Sequence, residues 1–465
     1  MTLPTNSATP SAANPPLNGP ELLCPAGNPN AMKLAFAYGA DAVYAGEPRY
    51  SLRVRNNSFT LQNLAESIAY AHAQGKRFYV VVNIAPHNAK LTHFVGHMQQ
   101  IVELQPDALI VSDPGVVMLL RQHFPQQPLH LSVQANTVNW AALQFWQQQG
   151  IERVILSREL SLKEIGEMRT AVPDMEIEVF VHGALCMAYS GRCLLSGYIN
   201  KRDANQGTCT NACRWQYQSQ AAVADAVGQY IPAANTSVPA PVLLSEAQRP
   251  DELMLLDEDE HGSYIMNSKD LRAVDLVPEL VNIGVHSLKI EGRTKSDYYV
   301  ARTTQVYRQA IDDAMAGKPF DPALLAQLAG MANRGFTHGF LQRHSAQDLQ
   351  NYQQSHSVGN ERLVAQLDRA ADSRGDYWLD VKNGFNSDDK LLLMTPQGNH
   401  TITAATMRNE HGERLLRAPG SGYRVQIALP AAVHQTLRDS ELSYCFIIQQ
   451  TSANGDTPLL QESAP

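Results

Sequence analysis

A closed barrel of eight parallel strands ringed by helices, with a small antiparallel module behind it, is the α/β fold class that this sequence predicts. Three observations carry it. From Glu21 onward, short apolar runs rich in β-branched residues alternate with helical segments, and strands apolar throughout imply a parallel sheet covered on both faces. Seven such runs precede Cys186 and a further one follows near residue 286, the count that closes a TIM-type barrel. No glycine-rich dinucleotide fingerprint follows the first run, which weakens the runner-up, an open doubly wound sheet.

The elements are justified in order. Residues 1–20, MTLPTNSATPSAANPPLNGP, have neither a basic start nor an apolar core, so they read as a disordered tail and not a secretory signal. The strands are ELLCPAG, DAVYAG, RFYVVVN, DALIVSD, LHLSVQ, RVILSREL and EIEVFVHG. Between them, NAMKLAFAYGA and LQNLAESIAYAHAQGK place apolar residues at helical spacing, and glycine often ends the segment. HSLKIEGR (286–293) supplies a further strand, and SYIMNSKDL (263–271) is another candidate. The catalytic domain spans 21–345 on this pattern, with a cysteine-bearing loop at 182–217. Residues 218–260, rich in Ala, Pro, Ser and acids, read as an insertion or lid. After the helical SDYYVARTTQVYRQAIDDAMAG, the composition shifts. Residues 357–450 show short alternating runs punctuated by Gly, Asn and Asp, the pattern of an all-β module, a small barrel. Residues 451–465 read as a tail.

With 465 residues the chain can bury a large core, and its net charge of −8 gives no global argument for nucleic acid or a membrane. An RNA site must therefore be a local basic patch. No apolar run approaches the roughly 20 residues of a membrane span. Without an export signal the expected compartment is the reducing cytoplasm, where structural disulfides are uncommon.

In such a barrel the chemistry sits at the C-terminal strand ends. Those positions hold Asn83, Asp113, Gln134, Arg158, Glu159 and His182, then Lys289, Glu291 and Arg293. The set fits a mouth lined for a polar ligand, although single members can instead cap the next helix or pair with each other. His182, Glu159, Lys289 and Glu291 are the candidate catalytic groups. Asn83, Arg158 and Arg293 are candidate substrate-binding groups.

Four of the six cysteines share one stretch, Cys186-x6-Cys193-x15-Cys209-x3-Cys213, which starts just past a strand end. Structural zinc favours two tight pairs, and only the second pair is tight here. A catalytic thiol, with His182 four residues before Cys186, leaves three cysteines unexplained. An iron–sulfur cluster needs four thiolates converging from irregular backbone, and Gly183, Gly191, Gly197 and Gly207 supply it. The spacing alone leaves all three open.

The segments ELLCPAGNPNAMKLAFAYGADAVYAGEPRYSLRVRNN, VNIAPHNAK, HLSVQANTVNW, VILSRELSL, FVHGALCMAYSGRCLLSGYINKRDANQGTCTNACRW and HSLKIEGRTK resemble the collagenase-like peptidase family, and within it the tRNA hydroxylation branch. The resemblance runs from about Glu21 into the C-terminal module. It departs in the N-terminal tail, in 218–260, and at Cys24, where the family pattern has serine. It implies a barrel-type catalytic domain and a 4Fe-4S cluster on Cys186, Cys193, Cys209 and Cys213, with Cys24 and Cys445 outside it. The implied reaction is hydroxylation of a wobble uridine in tRNA to 5-hydroxyuridine, a precursor of 5-alkoxyuridines, with prephenate as co-substrate and hydroxyl source. Arg53, Arg55, Arg158 and Arg293 are then candidates for the two prephenate carboxylates. Tyr44, Tyr50, His182 and Tyr189 are candidates for stacking on the unstacked base. Arg49, Arg53, Arg55, Lys201, Arg202 and Arg214 are candidates for the local basic surface. The alternatives are a peptidase, for which the chain offers neither H-E-x-x-H nor G-x-S-x-G, and a hydroxylase of ribosomal RNA or of a quinone precursor, as in related branches.

Overall fold

The computed structural model describes residues 19–47, 49–52, 58–185, 269–333, 335–342, 359–370, 376–438 and 441–450, together with the backbone of five short strands between 222 and 264. Strands β1 (Glu21–Pro25), β2 (Ala42–Gly46), β3 (Arg77–Val82), β4 (Ala108–Val111), β5 (Leu129–Leu131), β6 (Arg153–Ile155), β7 (Glu176–Ala184) and β8 (Ser287–Ile290) pair in parallel. β8 pairs with both β7 and β1, so the ring is closed. Helices α1 (Pro29–Ala37), α2 (Leu61–Ala73), α3 (Phe94–Val102), α4 (Pro114–His123), α5 (Trp140–Gln148), α6 (Leu162–Ala171), α7 (Val277–Ile283) and α8 (Asp297–Met315) follow the strands in turn. Six of them open on a capping side chain, namely Asn28, Thr60, Asp113, Asn139, Ser161 and Ser296. Each accepts a hydrogen bond from an otherwise unpaired first-turn N–H. Asp113 is thus a helix cap, its carboxylate accepting from the Val116 N–H at 3.0 Å.

The second candidate for the eighth strand does not enter the ring. Gly262–Tyr264 pairs within a small antiparallel sheet with Val242–Glu246 and Arg249–Asp259, and Ala222–Ala224 pairs with Tyr230–Pro232. The 218–260 segment therefore carries strands of its own. Asp270–Arg272 runs antiparallel to the outer end of β7, with Asp270 opposite Ala184 and Arg272 opposite His182, and pairs with Phe336–Thr337. A returning antiparallel strand cannot fill a parallel slot, and β8 already fills it. A register shift lets β7 serve both neighbours, since Lys289 faces Phe180 but Ile290 faces His182. Such a bulge bends the strand away from the ring.

The C-terminal module is a six-stranded antiparallel sheet. It comprises β9 (Glu361–Ala370), β10 (Asp376–Val381), β11 (Leu391–Thr395), β12 (Gly398–Ile402), β13 (Arg424–Ala428) and β14 (Phe446–Gln450), in the order β12-β11-β14-β9-β10-β13. The helix Ala431–Arg438 covers part of its core through Val433 and Leu437, an element that an all-β expectation omits. Met394, Tyr444, Phe446 and Ile448 join the core of the barrel domain. The Tyr38 hydroxyl donates to the Tyr444 carbonyl at 2.7 Å, and the fully buried Arg302 pairs with Glu361 at 3.2 Å. α8 is buried without a break from Tyr298 to Thr304 because barrel and module cover opposite faces of it. Among the described residues no helix is long and apolar enough to cross a membrane.

Candidate active site at the barrel mouth

Strand alternation turns every second side chain into the lumen. Barrel lumens are commonly filled by branched apolar side chains, but here they are charged. Glu21, buried at the base, accepts from Arg77 (2.9 Å), Tyr79 (2.7 Å) and Arg153 (2.6 Å). Arg153 also reaches Glu176 at 2.7 Å and Glu178 at 3.4 Å, and Glu178 holds the Lys289 ammonium at 2.7 Å. Burial raises the Glu21 pKa, but Arg153, Tyr79 and Arg77 outweigh it and hold the carboxyl below its ordinary value. For Lys289 burial wins over Glu178, and its pKa is lowered. The chain of charges climbs from the base of the barrel toward its mouth.

At the top, two aromatic rings collect three cations. The Lys289 ammonium lies 4.2 Å from the Tyr44 ring centroid and 5.6 Å from that of Phe180. The Arg158 guanidinium sits 4.0 Å over Phe180, and that of Arg293 sits 5.6 Å over Tyr44. Arg158 and Arg293 are half-buried, whereas Lys289 is enclosed. The Arg158 side chain also donates to the Ala184 carbonyl at 2.9 Å, while its Nε is buried without a partner. Arg293 donates to the Ser51 hydroxyl at 2.9 Å. Gly46 makes that crossing possible, because a Cβ there would lie 2.7 Å from the Arg293 guanidinium and 2.6 Å from the Ser51 oxygen. A cationic rim over an aromatic floor suits a flat or anionic ligand.

The other predicted residues divide. Asn83 is at the rim, donating to Gln134 at 2.9 Å and Ser132 at 3.2 Å and accepting from the Leu52 N–H. The Glu159 carboxylate accepts from the Ser157 hydroxyl. The Glu291 N–H donates to the His182 carbonyl at 2.9 Å, so Glu291 stands beside the β7 bulge. His182 is placed differently from the expectation. Its ring is enclosed by Tyr299 and Tyr307 of α8 and by Phe336, at centroid distances of 5.8, 5.5 and 5.8 Å. The bulge turns it under α8, away from the rim. Burial, reinforced by the positive Lys295 and Arg272, pushes its pKa down to about 3. Tyr307 gives its proton to the Val181 carbonyl at 2.7 Å, so the 3.4 Å contact with Nδ1 leaves the imidazole as donor. Tyr44 forms the floor, whereas Tyr50 is buried against Phe94 and donates to the Lys90 carbonyl. Arg49 presents its backbone N–H to Glu47 at 2.7 Å.

Arg53, Arg55, Tyr189, Lys201, Arg202, Arg214 and the four clustered cysteines lie outside the described residues. The segment that carries the cysteines leaves β7 after Ala184 and returns at Asp270, and those two residues are paired neighbours beside the rim. Cys24 faces outward, its Sγ 3.2 Å from the Thr304 hydroxyl, and burial pushes its thiol up to about 12. Cys445 is buried inside the C-terminal module.

Comparison with known sequences places this architecture. The model of peptidase family U32 matches residues 27–351, and that of the U32 C-terminal domain matches residues 360–437. The chain belongs to peptidase family U32. This U32 chain is 59% identical to the tRNA hydroxylation protein P of Escherichia coli (strain K12), across 93% of this chain and 97% of that protein. It is 53% identical to the protein of the same name from Haemophilus influenzae, across 92% and 96%. The 23S rRNA 5-hydroxycytidine C2501 synthase of Escherichia coli (strain K12) is 32% identical across 63% of this chain but only 39% of that protein.

Sequence reasoning missed two groups of this U32 barrel. One is the lumen set Glu21, Arg77, Arg153 and Glu178, whose signal was a charged residue inside or at the start of otherwise apolar runs, in ELL, RFY, RVI and EIE. The other is Glu47, buried at the end of β2, whose carboxylate accepts from the Arg49 and Tyr50 N–H groups and meets His97 Nε2 at 2.6 Å.

Proposed function

We propose that this chain hydroxylates tRNA, converting a wobble uridine to 5-hydroxyuridine with prephenate as co-substrate and a 4Fe-4S cluster held by Cys186, Cys193, Cys209 and Cys213. The observation that carries the proposal is the 59% identity to a tRNA hydroxylation protein, which extends through the barrel, the cysteine segment and the C-terminal module alike. The ribosomal RNA reading is less favoured, since this chain spans well under half of that relative.

The residues divide the work. Arg158 and Arg293 are half-buried guanidiniums on opposite rings and can take one carboxylate each of a dicarboxylic acid. Tyr44 and Phe180 form the floor on which its ring rests. Lys289, locked to Glu178 below, acts as a positioning residue that keeps the floor positive without reaching the solvent. The donor set of the segment between Ala184 and Asp270 is four thiols and fits an iron–sulfur cluster, which when bound supplies an iron centre able to exchange single electrons.

The test is deletion of the gene followed by nucleoside mass spectrometry of bulk tRNA. Uridine oxygenated at C5 falls, and the loss deepens when any parallel oxygen-dependent hydroxylase is also removed. Blocking prephenate synthesis mimics the deletion. Unchanged wobble modification in the double deletion would refute the proposal.

A further inference from the structure

The C-terminal module carries a row of side chains that its core does not use. β10 buries Tyr377, Leu379 and Val381 and turns Trp378 to the other face. Directly paired residues of antiparallel strands share a face. Arg369 on β9 is opposite Trp378, and Trp378 is opposite Gln426 on β13. Gln426 bridges to Arg408, and Arg408 bridges to Arg414 across the turn at Gly412. The five side chains therefore form one line across the sheet, about 19 Å long from four strand spacings of about 4.8 Å.

The chemistry of the line is specific. Arg369, Arg408 and Arg414 are exposed. The Arg369 guanidinium lies 5.9 Å from the Trp378 ring centroid, and the Arg408 guanidinium donates to the Gly412 carbonyl at 2.9 Å. Among the described residues none of the three has a carboxylate at ion-pair distance. Of the acids near the row, Asp380 pairs with Lys382 at 2.7 Å and Asp368 with Arg424 at 3.7 Å, while Asp376 accepts from the Gln426 amide of the row itself at 3.1 Å and Glu413 from the Asn409 amide at 2.7 Å. Leu416 and Tyr423, among the most exposed large apolar side chains, lie on the same 403–423 excursion as Arg408 and Arg414.

We infer that this face docks the RNA substrate, with Arg369 at one end of the row and Arg408 and Arg414 at the other on phosphates of one strand, and Trp378 between them under one unstacked base. Spaced guanidiniums around an indole combine backbone neutralisation with sequence-tolerant stacking, the arrangement used for single-stranded nucleic acid. On a chain of net charge −8, such a patch confines attraction to one surface. The inference rests on the tRNA reading above and assigns the module a part in it.

The experiment uses the full chain and bulk tRNA, with filter binding between 50 and 200 mM salt. The test variant combines Arg369→Gln, Arg408→Gln and Arg414→Gln, and circular dichroism checks its fold. Each lost phosphate contact lowers the log–log salt slope by about 0.7–0.9, so the triple variant loses about 2–3 units of slope. Over that fourfold salt range, wild-type affinity therefore drops about 20- to 40-fold more than that of the variant. Separately, Trp378→Phe retains binding while Trp378→Leu, similar in bulk to phenylalanine but without a π-face, weakens it, a difference that lost packing volume alone does not predict. Wild-type binding with the same salt slope in the triple variant overturns the docking face and leaves the tRNA reading standing. Absence of tRNA binding by the wild type at every salt concentration overturns both.

Discussion

Replacing His182 with phenylalanine should remove a large part of the acid sensitivity of this protein. The imidazole is sealed among Tyr299, Tyr307 and Phe336, and burial lowers its pKa from the ordinary 6.5 to about 3. Between those values the unfolded chain binds a proton on this ring and the folded chain does not. Stability therefore falls as the pH drops below 6.5, by about 1.4 kcal/mol per pH unit. The full window of about 3.5 units amounts to about 5 kcal/mol, a large share of the stability of an ordinary domain. His182→Phe keeps an aromatic ring in an aromatic shell and has nothing to titrate. Urea unfolding of both proteins at pH 7.5, 6.0, 5.0 and 4.5 reads the difference directly. From pH 6.0 to 4.5 the wild type should lose about 2 kcal/mol more than the variant. Parallel pH profiles would refute the argument. Loss of hydroxylation by a folded variant at pH 7.5, with parallel profiles, would return His182 to the catalytic groups.

Lys289→Met leaves Glu178 buried with Arg153, at 3.4 Å, as its one ion-pair partner among the described residues and should cost about 3–5 kcal/mol in denaturant unfolding, while adding Glu178→Gln recovers part of it; a single-variant loss under about 1 kcal/mol contradicts the lumen network. Gly183 has φ +112°, and a Cβ there would lie 2.8 Å from the Glu291 carbonyl oxygen. Gly183→Ala is therefore expected to cost at least about 1–3 kcal/mol, read as a lowered Tm, and an unchanged Tm would show that the bulge tolerates a side chain. Serine at Cys186, Cys193, Cys209 or Cys213 should abolish bound iron after anaerobic purification, whereas Cys24→Ser keeps it. Normal iron in any of the four, or loss in Cys24→Ser, contradicts the ligand assignment.

The ring of strands was legible because VVV, LIV and VIL runs recur at βα spacing, and a run buried on both faces has few other homes. The rim was partly legible: Arg158, Arg293 and Asn83 end strands and do face the mouth. Two effects hid the rest. Strand ends are also helix starts, so Asp113 belongs to α4 as its cap although it ends a strand. A bulge reverses the side to which later residues point, and the register shift at Lys289 and Ile290 turns His182 under α8. No one-dimensional pattern marks a bulge of that kind. The lumen charges were hidden for a third reason. Arg153 and Glu21 are 132 positions apart and become neighbours only when the ring closes.

Ala184 and Asp270 stand opposite each other on paired strands, so everything between them hangs from a single hinge-width of backbone. Closing a longer excursion between fixed ends costs only about 0.6 kcal/mol per doubling of its length. Rewriting that segment therefore leaves the ring of strands almost unaffected in stability. The barrel can stay constant as a chassis while the portion beside its rim changes size and sequence. Chimaeras exchanged at Ala184 and Asp270 are therefore expected to keep the ring of strands folded.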